Sequence, residues 1–203
     1  MKKRFFLWLL CVALLTFGVY CAESLVLQRG LAAKTVRLHV VANSDSAADQ
    51  AQKLRVRDAV VRHVAMLTAD CENAEAAKAV IGANLNDLTK TAQGVLDAEG
   101  SGYSALVTLQ TERFDTRRYD TFTLPAGSYP SLRVRIGAAE GKNWWCVVFP
   151  SLCEAATSED MTRTAQVGGF EEGQTALITG GEEKYTLRFK TLEWLKKLSD
   201  RLK

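Results

Sequence analysis

Between Thr35 and Ala42 apolar and polar side chains take turns: Val36, Leu38 and Val40 alternate with Arg37, His39 and Val41, the two-residue repeat of a half-buried strand. After a polar corner, Asn43-Ser44-Asp45-Ser46, the repeat lengthens. Ser46-Ala47-Ala48-Asp49 fits a capping box, and Val56, Val60, Val64 and Leu67 share one face of a helix predicted from Ala47 to about Leu67. Arg57 falls inside that stripe, so it must snorkel outward or meet an acid. A second three-four spacing, through Ala77, Ile81, Leu85, Leu88, Ala92 and Val95, predicts one Ala-rich helix over 73–98, halted by Gly100-Ser101-Gly102.

Alternation resumes at Tyr103 to Thr111, with Tyr103, Ala105, Val107 and Leu109 on one face. Phe122 to Gly127 reads as a turn or short edge piece. Leu132, Val134 and Ile136 then alternate with Arg133 and Arg135, and residues 137–143 read as a hairpin loop returning into Trp144 to Phe149. Residues 154–183 are polar and weakly patterned, which predicts a mobile linker. Leu192, Trp194, Leu195, Leu198 and Leu202 mark a closing amphipathic helix, roughly Leu187 to Arg201. The order β-α-α-β-β-β-α argues for an α+β sandwich: an antiparallel or mixed sheet of about four strands with helices packed on one face.

Export changes this picture. Met1-Lys2-Lys3-Arg4 precedes an uncharged, almost wholly apolar run from Phe5 to Cys21, the form of a secretory signal. Cleavage after Cys21 fits small-residue preferences better than cleavage after Ala22, and an uncleaved anchor is the alternative. The expected organisation is therefore 1–22 signal peptide or membrane anchor, 35–153 α+β domain, 154–183 variable linker and 184–203 basic amphipathic helix. The formal net charge of +3 comes from Lys2, Lys3 and Arg4, so residues 23–203 are neutral and offer no electrostatic footprint for nucleic acid. Residues 184–203 nevertheless carry a net +5 and the remainder of the body −5. That basic helix could pack on its own sheet, dock on a partner or lie on an anionic membrane surface.

Candidate chemistry is sparse. Gly137 to Lys142 is one residue short of a phosphate loop, with Asn143 where Ser or Thr should stand, and the chain has no Gly-x-Ser-x-Gly elbow, His-Glu-x-x-His or dinucleotide fingerprint. With two histidines in the chain, His39, Asp45 and Asp49 could line one corner, but a strand histidine facing solvent or a carboxylate explains the same residues. Neither a metal nor another cofactor is expected. The Asn43–Ser46 corner should satisfy free amides at a helix start, and could also present donors and acceptors to a partner. An acid/base set of His39, Asp45 and Asp49 lacks a nucleophile fixed by spacing. Trp144 and Trp145 are adjacent on a strand, so they point to opposite faces and one is a candidate binding hot spot. In an oxidising compartment Cys146 and Cys153, flanking a short apolar run with Pro150, could be bridged or could be two small buried hydrophobes.

Several ordered stretches resemble the stage II sporulation protein R family of endospore-forming bacteria. They are Arg37-Leu-His-Val-Val-Ala-Asn-Ser-Asp-Ser46 with Asp49-Gln50, Lys53-Leu-Arg-Val-Arg-Asp58, Leu124-Pro-Ala-Gly-x-Tyr129, Leu132-Arg-Val-x-Ile-Gly137, Gly141-Lys-Asn-Trp-Trp-Cys-Val-Val-Phe-Pro150 with Leu152-Cys153, and Arg188-Phe-Lys-Thr-Leu-Glu-Trp194. The resemblance implies a non-enzymatic signalling protein, exported from the forespore to the intermembrane space, that activates a membrane-embedded aspartic protease processing the precursor of sigma factor E. The family supplies no catalytic residues to carry over. Arg37, His39, Asn43, Asp45 and Asp49, supported by Trp144 or Trp145, are the expected partner-binding residues. Two rival expectations are a small exported hydrolase acting on wall or peptide through an acid/base set around His39, and a passive anchored scaffold.

Overall fold

The computed structural model describes residues 2–119, 121–152 and 158–179, together with 190, 191, 193, 194, 197 and 201. It begins with α1, Lys2–Ala33, followed by β1, Val36–Val41. Three helices come next: α2 at Ala47–Leu67, α3 at Ala74–Ala83 and α4 at Leu85–Ala98. Then follow β2 (Ala105–Phe114), β3 (Arg117–Arg118), β4 (Thr123–Leu124), β5 (Gly127–Ile136) and β6 (Asn143–Phe149), with α5 at Ser158–Val167 and α6 at Glu172–Thr179. The fold is α+β around a mixed four-stranded sheet of order β2-β5-β1-β6, as the alternation of apolar and helical patterns leads one to expect.

The sheet order has one consequence the hairpin reading of 137–143 misses. β5 and β6 do not pair; β1 lies between them, parallel to β5 and antiparallel to β6. The connecting loop crosses the end of β1 and lies on the corner beyond it, where Glu140 and Gly141 amides donate to the Asn43 and Ala42 carbonyls. Gly141 is required by this approach, since a Cβ there would sit 2.2 Å from the Ser44 carbonyl oxygen.

Helices α2, α3 and α4 cover one sheet face, as expected. Val36, Leu38, Val40, Val107, Leu132, Val134, Ile136, Cys146 and Val148 from the strands meet Val56, Val60, Val64, Ala77, Ile81, Leu88, Ala92 and Leu96 from the helices. The single helix expected over 73–98 is instead two, divided at Asn84. Its side-chain Nδ2 donates to the Val80 carbonyl at 2.8 Å, a local bond that competes with helix continuation, and the apolar stripe continues across the break.

The opposite sheet face is partly covered by elements the sequence pattern understates. The last turns of α1 bury Ser24, Gln28, Leu31 and Ala32, a three-four spacing that begins beyond the expected signal boundary. The earlier part, from Phe5 to Val19, is largely exposed, and α1 is the one described helix long and apolar enough to cross a membrane. Residues 154–183, expected as a linker, contain α5 and α6. Phe170, Leu177 and Ile178 from this stretch are buried, and Lys34 at the end of α1 pairs with Glu171 at 2.9 Å. Most of the closing basic segment, including Leu192, Leu195, Leu198 and Leu202, lies outside the described residues. Those that are described are helical, with Trp194 exposed.

Candidate functional site

The predicted site residues fall into two groups joined by one loop. The first is the corner between β1 and α2. Ser46 caps α2 by accepting from the Asp49 amide at 3.1 Å, but Asp49 does not return the favour as a capping box would have it. Its Oδ2 instead accepts from Asn43 Nδ2 at 2.9 Å and from Ser44 Oγ at 2.6 Å. These bonds, Ser44's first and Asn43's second, hold the Asp49 carboxyl below its ordinary range. Asn43 Oδ1 accepts from the Ala138 amide and Asp45 Oδ1 from the Lys142 amide, so the corner is the receptacle for the β5–β6 loop. Lys53, almost fully buried, donates to the Lys142 carbonyl and to Gln50 Oε1, which ties α2 to the same loop. Asn43, Asp45 and Asp49 thus bond mainly within the protein.

The second group lies on the sheet face away from α2–α4, where alternation sends Arg37 and His39. The His39 ring stacks on Trp145, with centroids 5.6 Å apart. Its Nδ1 meets Glu112 Oε2 at 3.0 Å and its Nε2 meets Asn143 Oδ1 at 3.0 Å. Glu112 Oε1 also accepts from Gln110 and lies 3.3 Å from Arg133 Nη1. Burial works to raise the Glu112 pKa, yet its hydrogen bonds and the adjoining imidazole outweigh that, and the net shift is downward.

Arg37, read from the pattern as a polar-face residue, is fully buried there. Its guanidinium lies 3.8 Å over the Phe114 ring and 5.1 Å from that of Tyr129, and Nη2 donates to the Tyr119 hydroxyl at 3.0 Å. Nε and Nη1 have no hydrogen-bond partner among the described residues. Desolvation by burial lowers its pKa. Burial also pushes the Tyr129 phenol up to about 12, and its hydroxyl donates to the Pro125 carbonyl at 2.7 Å. Arg117, on the short β3–β4 ribbon, stacks over Trp145 at 3.7 Å.

The two groups meet in consecutive residues. The Lys142 amide is held by Asp45, Asn143 holds His39, Trp144 lies under Arg57 at 4.3 Å and Trp145 under Arg117 and His39. Trp144 and Trp145 do point to opposite faces, and Arg57 resolves its place in the apolar stripe by pairing with Asp58 and covering Trp144. Cys146 is disulfide-bonded; Cys153, its expected partner, lies outside the described residues. His39, Asp45 and Asp49 do not converge, and no group of three or more metal-binding side chains occurs among the described residues.

Sequence reasoning missed Glu112, Arg117, Tyr119 and Tyr129. Each sits far along the chain from β1: the β2-β5-β1-β6 order brings Glu112 and Tyr129 to this face, and the separate β3–β4 ribbon with the residue after β3 brings Arg117 and Tyr119. The one available signal was the Arg117-Arg118-Tyr119 cluster in an otherwise polar stretch.

Comparison with known proteins gives one consistent result. The family described as Stage II sporulation protein R matches residues 32–159, which holds both groups of the site. A curated relative named Stage II sporulation protein R, from Bacillus subtilis (strain 168), is 36% identical over 120 residues, covering 59% of this chain and 54% of the relative. The match therefore spans about half the length of that relative. No solved structure matches the chain.

Proposed function

This chain belongs to the stage II sporulation protein R family, and on that premise we propose that it is an exported sporulation signalling protein. It acts in the space between forespore and mother cell by binding a membrane-embedded aspartic protease, which then processes the precursor of sigma factor E. The observation that carries this reading is the make-up of the Arg37–His39 face. It combines guanidinium groups, aromatic rings and a histidine whose two nitrogens are already taken by Glu112 and Asn143. Such a surface recognises; an acid/base catalyst needs a ring nitrogen turned to a nucleophile or substrate.

Binding alone can activate the protease if the domain prefers its active arrangement over its inactive one, because the populations shift by that difference in affinity. The apolar part of α1 supports delivery to the membrane, either as an export signal or as an anchor, with the packed part of α1 belonging to the domain in both cases. The test is co-expression of the full chain with the protease and the sigma precursor in a host that does not sporulate. Processing should appear only when all three are present. Processing without this chain would remove the activation reading.

A further inference from the structure

Beside the His39 cluster is a cavity of about 440 Å³ whose walls include Arg117, Tyr119, Phe122, Asn143, Trp144 and Trp145. No carboxylate is among its described lining residues. One wall is backed by a charge: Tyr119 accepts a hydrogen bond from the fully buried Arg37, two of whose donor nitrogens have no partner among the described residues. Glu112, the acid on this face, is engaged with His39, Gln110 and Arg133. The site therefore holds a buried positive charge and a second guanidinium, with no acidic counterpart for Arg37 among the described residues.

We propose that this cavity seats an acidic side chain from an extended segment of the partner protein. Arg117 lines the cavity with its guanidinium carbon 3.7 Å from the Trp145 ring centroid, and the planar N–H fork of an arginine placed there matches a carboxylate at two points. The Tyr119 oxygen already accepts from Arg37, so its own proton is directed to a further acceptor, and a carboxylate oxygen supplies one. The aromatic walls cover the apolar stem of the incoming residue and exclude water from the charge pair, which strengthens it. Charge complementarity thus selects glutamate or aspartate over a neutral side chain. The proposal rests on reading the domain as a partner-binding module and adds the chemistry of the docking segment.

The experiment titrates the purified full chain, held in nonionic detergent, with two dansyl-labelled blocked peptides, Val-Glu-Val-Glu-Val and its counterpart with glutamine for glutamate, read by fluorescence anisotropy. The acidic peptide should bind saturably and the glutamine peptide about tenfold or more weakly, a difference of about 1.4 kcal/mol. Arg117→Ala should weaken the acidic peptide by a similar factor. Tyr119→Phe, which removes one hydroxyl and little packing, should weaken it several-fold, and circular dichroism reports whether each variant is folded. Equal binding of both peptides, unchanged binding by the variants, or no saturation with either peptide overturns the proposal. So does Arg117-dependent binding to vesicles one-third phosphatidylglycerol with none to peptide, which would make the site a lipid-headgroup seat. The protease is absent from this titration, so failure of the activation reading leaves its result intact, and the converse also holds.

Discussion

On the face covered by α2, α3 and α4 the strands contribute Val36, Leu38, Val40, Leu132 and Val134, all buried against helical Val, Ile, Leu and Ala. On the other face the sheet carries Arg37, His39, Glu112, Arg133 and Trp145, all but Arg37 partly exposed and joined by hydrogen bonds and ring stacking. One face stabilises by removing apolar area from water, at about 25 cal/mol per Å². The other holds desolvated charge, whose cost its internal contacts offset in part. The contrast separates the half of the sheet that holds the domain together from the half we read as its recognition surface.

The largest effect tests the first half. Leu38→Ala opens a cavity among side chains with no exposure and should destabilise the domain by about 2–5 kcal/mol, measured by urea unfolding. A loss well under 1 kcal/mol would mean that the helix-covered face is not the main source of stability. Next in size is Glu112→Gln, which exchanges a charged acceptor for a neutral one beside His39 and Arg133 and should cost about 1.5–3 kcal/mol at pH 7. The pH dependence has a definite sign. The folded carboxyl titrates below its ordinary 4.5, so its contribution is present above that value and fades as pH falls through the folded pKa. Unfolding curves of wild type and Glu112→Gln should therefore converge in acid, and a constant gap would contradict the assignment. The smallest expected change in stability is Arg37→Leu. It loses the Tyr119 bond and ring contacts but removes a buried guanidinium without an acidic partner among the described residues, and the two should balance to within about 1 kcal/mol. The same variant should reduce sigma-precursor processing in the co-expression assay, which separates recognition from folding.

The helix-covered face was legible because its information is local. Val36, Leu38 and Val40 repeat every second residue, Val56, Val60 and Val64 every fourth, and these periods survive into the packed core. The Ser46 cap was legible for the same reason, and α2 runs from Ala47 to Leu67 as its pattern predicts. Asn84 was harder to read, because its bond to Val80 divides a helix whose apolar stripe does not change. The stretch 154–183 was harder still: α6 buries Gln174 and Thr175 beside Leu177 and Ile178, so its buried face is half polar and no apolar period marks it.

The residues expected to bind a partner divide along the same line. Arg37 and His39 could be placed on one strand face from their spacing, and Trp144 and Trp145 on opposite faces of theirs, but the pairing of Trp145 with His39 and the burial of Arg37 could not, since they depend on residues such as Phe114, Tyr119 and Tyr129 arriving from later in the chain. Asn43, Asp45 and Asp49 were recognisable as a polar corner, while their role as the seat of a loop nearly a hundred residues onward was not. Periodicity, capping and the apolar N-terminal run act over a few residues, so the chain alone specified β1, α2 and its cap, the helix-facing core and the apolar N-terminal helix. Strand order and loop crossing join residues far apart in sequence, and no short-range pattern encodes such pairings. The insertion of β1 between β5 and β6, the His39–Glu112 pair and the buried Arg37 behind Tyr119 therefore came into being only with the packed fold.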